Sequence, residues 1–280
     1  VKTVTLSELG QELPIGNCQE GTNKLVKTFE VRPYKAKVDR VLNIWREANQ
    51  GRHIGWLIAK YLSLVVVHAG GQYITLDDKN DSSPDSVNMV TGWHFADVIY
   101  MYLWSRYKTS NKMRIEYGCP NTACSIKTAT KIIDLGSIEI TCLESFDESR
   151  FWVNLIDGFR LSNNKLCKRL KVKPVPFKTV FLAGATQGNV DDMLGYNQLR
   201  EAVIEVDGGG QNYNLLDEEL DEMSKIDTLL LNNQAGKISA GPKLRTGFIC
   251  DGCKQPIERA IDLRFDHFFE SSIPVAHLMS

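Results

Sequence analysis

No run of the 280 residues is apolar enough to cross a bilayer. The most apolar stretch, Ile54 to Ala69, is interrupted by Lys60 and carries His68 near its end. It falls short of the roughly 18–20 uninterrupted apolar residues a span needs. Val1 to Gly10 lack the basic start and apolar core of a secretory signal, so neither export nor a membrane partner is expected. An excess of one charge is missing too. With 33 basic and 34 acidic side chains, the chain does not read as a nucleic-acid polyelectrolyte and has no acidic tail. Apolar residues make up 43% and charged residues 24%, a balance that excludes a disordered chain. Cysteine is sparse and odd in number, at seven, which argues against a disulfide scaffold and for a reducing compartment.

Catalytic signatures are also missing. There is no G-x-x-x-x-G-K-[ST], no G-x-S-x-G and no H-E-x-x-H. Gly208 to Gly210 follows Glu205-Val206-Asp207 without a dinucleotide fingerprint and reads as a flexible break. His53, His68, His94, His267 and His277 each stand alone. Asp77, Asp78, Asp81 and Asp85 lack EF-hand spacing and its terminal Glu, so they read as a solvated loop. No enzyme is expected.

What is present is organised as an α+β protein. Residues 1–30 read as a polar lead. Residues 31–110 are mainly helical, with Val38, Val41, Leu42 and Trp45 on one helical face and Phe95, Val98, Ile99, Tyr102 and Leu103 on another. Leu64 to Val67 reads equally as helix or short strand. Met113, Ile115 and Tyr117 alternate with polar residues, which predicts a strand. The apolar stretches 131–135 and 138–143, separated by Gly136-Ser137, predict a hairpin. Residues 146–242 read as a mostly helical insertion. It holds a strand-like Lys178 to Ala183, a helix over 191–206 and a helix from Asp217 whose apolar face is Leu216, Leu220, Met223, Ile226, Leu229 and Leu230, with Gly236 as its stop. No repeat of 20–50 residues is visible.

The cysteines carry the chemistry. Cys119-Pro-Asn-Thr-Ala-Cys124 and Cys250-Asp-Gly-Cys253 are two close pairs, each after a strand-like run. Two tight turns that each present two thiolates supply the tetrahedral set a zinc ion takes. Segments 111–145 and 243–270 therefore read as a split zinc-ribbon-like β element with the insertion between its halves. The gap between the pairs is far longer than the roughly 12–20 residues of common ribbons, so the fold must close the site. Four cysteine ligands leave no open position, which makes such a zinc structural. The competing readings are thiols placed by coincidence and a redox C-x-x-C, which would need Cys250 at a helix start. Cys18, Cys142 and Cys167 are lone and read as small hydrophobes. Lys165 to Lys173, with Lys168, Arg169, Lys171 and Lys173, could meet phosphates but reads better as a solvated basic face.

Several pieces in order resemble a family of tailed-phage baseplate hub proteins, related to the hub assembly components of T4-like phages. They are Val31-Arg32-Pro33-Tyr34 before the first helix, Leu103-Trp104-Ser105-Arg106 ending a helix, and Tyr117-Gly118-Cys119-Pro120 with Cys124. Cys250 and Cys253 follow, then the aromatic Phe265-Asp266-His267-Phe268-Phe269. The first pair is C-x4-C, wider than the C-x2-C expected of the family. The resemblance implies a structural part of a contractile tail baseplate or hub. Such a part is made in the host cytoplasm and built into the virion in several symmetric copies, against tube, hub, baseplate or tape-measure proteins. A nucleic-acid-binding zinc-ribbon protein is the alternative reading, and an enzyme with an unrecognised site the third.

Overall fold

A computed structural model of the protein describes residues 2–18, 24–33, 35–49, 54–144, 151–174, 176–179, 203–211, 213, 215–238 and 240–263. Helix and strand each take 35% of the described residues, the strands in several small sheets, so the fold is α+β. The leading residues carry more regular structure than their polarity suggests. β1 (Lys2–Thr5) runs into the single turn α1 (Leu6–Leu9). Thr5 and Glu8 form a reciprocal capping box there, each side chain accepting the other's backbone N–H. β2 (Glu12–Cys18) and β3 (Leu25–Val31) then pair antiparallel.

Helices α2 (Ala36–Ala48) and α3 (Ile54–Val65) follow. The ambiguous run at Leu64 splits at Val65, where β4 (Val66–Ala69) begins. β5 (Gln72–Tyr73) completes a sheet of order β2-β3-β4-β5. Arg32 governs the junction. Its guanidinium donates to the carbonyl oxygens of Leu64, Val66 and Ile74, satisfying acceptors that the end of α3 leaves open. Lys60, which interrupts the apolar run, is only 3% exposed. It donates to the Asp81 carboxylate and to Ser82, so the Asp-rich loop is fastened to the core at Asp81.

α4 (Pro84–Gly92) starts with Ser83 as its cap and Pro84 in its first turn. α5 (Phe95–Thr109) is buried along most of its length. Its aromatics pack as core: Tyr100 lies 5.9 Å from Phe29 and Tyr102 lies 5.7 Å from Tyr61, both edge-on. Arg106 is fully buried and donates to the carbonyl oxygens of Ser110 and Lys112, closing the helix end.

β6 (Lys112–Tyr117) and β7 (Ala129–Asp134) pair antiparallel. The hairpin expected between 131–135 and 138–143 does not form. The Asp134 carboxylate accepts from Gly136 N–H, and Leu135–Ser137 make a 3-10 turn with Leu135 buried. That turn carries β8 (Glu139–Cys142) into another sheet, between β1 and the short strand Gly241–Pro242.

The expectation of a mostly helical 146–242 needs correcting. Among the described residues, β9 (Trp152–Arg160), β10 (Leu166–Val172), β11 (Val203–Val206) and β12 (Gly210–Gln211) form a second four-stranded sheet. A bulge at Gly158, with φ +72°, shifts the in–out phase of β9 and masks its alternation in sequence. Of the expected helix 191–206, residues 191–202 lie outside the described residues and Val203–Val206 is strand. Of the strand-like 178–183, residues 180–183 also lie outside them, and Lys178-Thr179 are helical. Gly208 to Gly210 is no loose break: it turns β11 back so that Val206 pairs with Gly210.

The single helix expected from Asp217 is two, α6 (Asp217–Asp221) and α7 (Lys225–Ile238), and α7 runs past Gly236. The break rotates the faces. Leu216, Ile226 and Leu229 are exposed, while Leu220, Met223 and Leu231 enter the core with Val153, Phe159 and Leu170. The last short strand of this half is β13 (Gly241–Pro242).

Two buried carboxylates hold strand bulges. Asp97 of α5 accepts from the N–H groups of Ile15 and Gly16, at 2.8 and 2.9 Å. Asp227 of α7 accepts from Ile156, Asp157 and Gly158. Burial raises the Asp97 carboxyl from 3.8 to about 7, against its backbone hydrogen bonds. Between those values the folded protein holds this proton more tightly than the unfolded chain does. The contribution of Asp97 to stability is therefore fullest below about pH 4 and declines as pH rises to about 7. The stability advantage of the wild type over Asp97→Asn should shrink across that window and level off above it, as read by denaturant unfolding at stepped pH.

Candidate metal centre

Each cysteine pair occupies the bend of a two-stranded hairpin. β6 and β7 are in register from Lys112 opposite Asp134 to Tyr117 opposite Ala129, and Cys119 and Cys124 lie in the loop between them. β14 (Arg245–Ile249) and β15 (Pro256–Ala260) pair from Arg245 opposite Ala260 to Ile249 opposite Pro256. Cys250 and Cys253 lie in that bend. The second bend is tight: Cys250 N–H donates to Gln255 O and Lys254 N–H donates to Cys250 O. Lys254 takes a left-handed φ of +60° to allow this. In the first loop, the Asn121 side chain accepts from Ala123 N–H and its carbonyl accepts from Cys124 N–H.

The two bends meet and bring the four sulfurs within 4.8 Å of one another. Cys119 Sγ lies 3.5 Å from Cys253 Sγ, and Cys124 Sγ lies 3.8 Å from Cys250 Sγ. These separations are far longer than the ~2.05 Å of a disulfide, and all four cysteines are free thiols. A tetrahedron with metal–sulfur bonds of ~2.3 Å has sulfur–sulfur edges of about 3.8 Å. The cluster fits such an ion, and the four cysteines together can hold a metal. All four candidate residues from the sequence are thus in one place.

The surroundings fix the bends against each other. Tyr117 and Phe248 stack edge-on at 4.9 Å. Tyr117, Cys124, Cys250 and Ile257 form a small buried core, flanked by Ile126, Ala129 and Phe248. Lys131 Nζ reaches Asp251 Oδ1 at 2.9 Å, from one hairpin to the other, and the Arg259 guanidinium donates to Gly118 O. Backbone N–H groups of Cys253 and Gly252 aimed at its sulfur lower the Cys250 thiol to about 7. Burial, together with the neighbouring sulfurs, pushes Cys119 up. A bound ion would resolve this tension, because it would displace the thiol protons and neutralise the thiolates.

Gly252 lies directly against the sulfur cluster. A Cβ there would sit 3.0 Å from Cys124 Sγ and 3.1 Å from Ile126. Lys131, Asp251 and Arg259 were not identified from sequence, because only the pairing of distant hairpins brings them together. The lone thiols stay apart from the site. Cys142 and Cys167 are buried, and burial raises both. The side chain of Cys18 lies outside the described residues, as do His53, His267 and His277. Half-buried His94 has its pKa lowered to about 4, chiefly by desolvation of the ring.

No family model matches the chain, and no curated protein or solved structure matches it.

Two outcomes follow from this geometry. Gly252→Ala should weaken metal binding by roughly tenfold or more, since its methyl displaces a ligand sulfur or its neighbour, as second-sphere changes do; competition against a chromophoric chelator measures this. Lys131→Ala should leave the midpoint of thermal or denaturant unfolding close to that of the wild type, because the ion pair is solvated and screened.

Proposed function

We propose that the four sulfurs hold one zinc ion as a structural clasp, and that the chain is a building part of a contractile phage tail baseplate or hub. The observation that carries the first half is the all-sulfur set itself, drawn from two hairpins far apart in the chain. Four thiolates suit zinc by softness and geometry, and a closed set leaves no position for substrate or activated water. The clasp therefore acts by joining chain segments rather than by catalysis.

The baseplate reading rests on the ordered pieces of sequence, and those pieces have physical roles in the fold. Arg32 and Arg106 each satisfy carbonyl oxygens at a helix end, Arg106 from a fully buried position. The cysteine pairs converge, and the aromatic 265–269 element lies outside the described residues. Exposed Ile132 and Ile249, both on the clasped hairpins, offer apolar contact to neighbouring tail proteins in a symmetric assembly. The protein would be made in the host cytoplasm, where thiols stay reduced, and end in the virion.

The nucleic-acid alternative is not favoured by the basic run. Lys168 donates to the carbonyl oxygens of Ile156 and Asp157, Arg169 lies 4.4 Å over the Trp152 ring, and Lys171 is buried.

Metal analysis of the purified protein should give one zinc per chain, lost when Cys250 and Cys253 both become Ser. Chelation should lower the temperature at which thermal unfolding begins by roughly 5–10 °C. A metal-free protein of unchanged Tm would refute the clasp. Separately, the protein should co-purify with assembled tails in fixed stoichiometry; its absence from tails would refute the baseplate reading and leave the clasp standing.

A further inference from the structure

The two four-stranded sheets share more than their strand order. In β2–β3, Cys18 pairs with Leu25, Asn17 with Val26 and Glu12 with Thr28, leaving residues 13–16 opposite Lys27. In β9–β10, Arg160 pairs with Leu166, Phe159 with Cys167 and Asn154 with Arg169, leaving 155–158 opposite Lys168. The bulges match residue for residue. Each ends in a glycine of left-handed φ, Gly16 at +78° and Gly158 at +72°. In both, a Cβ would strike the carbonyl of the paired strand, Val26 O or Cys167 O.

The next pairings match as well. Phe29, Glu30 and Val31 face Ala69, His68 and Val66; Leu170, Lys171 and Val172 face Val206, Glu205 and Val203, with the register slip at the same step. Val31-Arg32-Pro33 and Val172-Lys173-Pro174 leave the two sheets alike.

The carboxylates complete the correspondence. Asp97 and Asp227 are each the third residue of the long helix that follows their sheet, and each accepts the N–H groups of its bulge. Asp227 takes three donors and Asp97 two. The missing donor is explained, because Pro14 stands at the position of Ile156 and has no N–H. Each helix is followed by a hairpin with a cysteine pair, the second after the short strand β13, and an Ile-Asp-Leu stands at the end of the first hairpin and just past the second, Ile133-Asp134-Leu135 and Ile261-Asp262-Leu263.

We infer that the described residues of 12–109 and of 154–238 form two copies of one structural unit and that the four-cysteine centre is the joint between them, each copy's trailing hairpin supplying one pair. The joint rests on the metal reading above; the equivalence of the copies does not. Asp97 and Asp227 are then equivalent positioning residues, each setting the bulge of its own copy. The sequence shows no short-period repeat because the copies are separated by a much longer interval and share mainly backbone geometry. The metal fixes one copy against the other, where a single pair of thiols could not fill the coordination sphere.

Hydrogen exchange on the full chain, with and without chelator, tests both parts. Asp97→Asn should speed exchange at Ile15 and Gly16, and Asp227→Asn at 156–158, each by about tenfold or more while the other bulge stays within about twofold. If either variant loosens both bulges alike, the copies are not independent equivalents. Metal release should deprotect both cysteine hairpins together and split one thermal transition into two, with both bulges still protected after the first. Cys119→Ser with Cys124→Ser should have the same effect as Cys250→Ser with Cys253→Ser. A single transition that persists after demonstrated metal loss would overturn the joint. A protein that never binds metal would instead refute the clasp, and the two aspartate variants would still decide the equivalence.

Discussion

Four thiols cannot sit within 4.8 Å of one another as anions without a counter-charge. That constraint organises the structure around the two cysteine bends. Proton or metal must neutralise the sulfurs, and only a metal turns their mutual repulsion into attraction along four directions at once. Because the pairs lie on separate hairpins, satisfying the sulfurs also decides how β6–β7 and β14–β15 stand to each other. The contacts around them, Tyr117 on Phe248, Lys131 to Asp251 and Arg259 to Gly118, then become available. Each is modest alone. Together they narrow the geometry that an ion would meet.

The rest of the core follows a related rule: ionisable side chains are drawn inward where backbone groups need partners. Arg32 and Arg106 satisfy carbonyl oxygens beyond helix ends, and Asp97 and Asp227 satisfy N–H groups that the strand bulges leave unpaired. Lys60 fastens a polar loop to an otherwise apolar helix. A buried charge without such partners costs several kcal/mol. These side chains thus mark the places where regular structure is interrupted, and the interruptions shape both sheets.

Much of the first half was legible. The helical period at Val38 and at Phe95, and the alternation of Met113, Ile115 and Tyr117, correspond to α2, α5 and β6. The errors fall where a local signal competed with a distant one. The 131–143 hairpin had turn-like residues, yet the Asp134 cap made a 3-10 turn there. The strands of 146–242 were hidden because the Gly158 bulge breaks their alternation. The helix from Asp217 was broken at Met223-Ser224, so the face drawn across both pieces was not one face.

By itself, the sequence determined what depends on neighbours in the chain. It named the four cysteines of the cluster, because each pair is set by a bend of a few residues, and it marked several amphipathic elements, because their periods are local. Only the tertiary structure decided that the pairs converge and that the basic run is used within its own sheet. The same holds for the two copies of one unit. A strand register, a carboxylate aimed at a bulge and a sulfur–sulfur distance are relations between segments far apart in the chain, and no spacing within either segment encodes them.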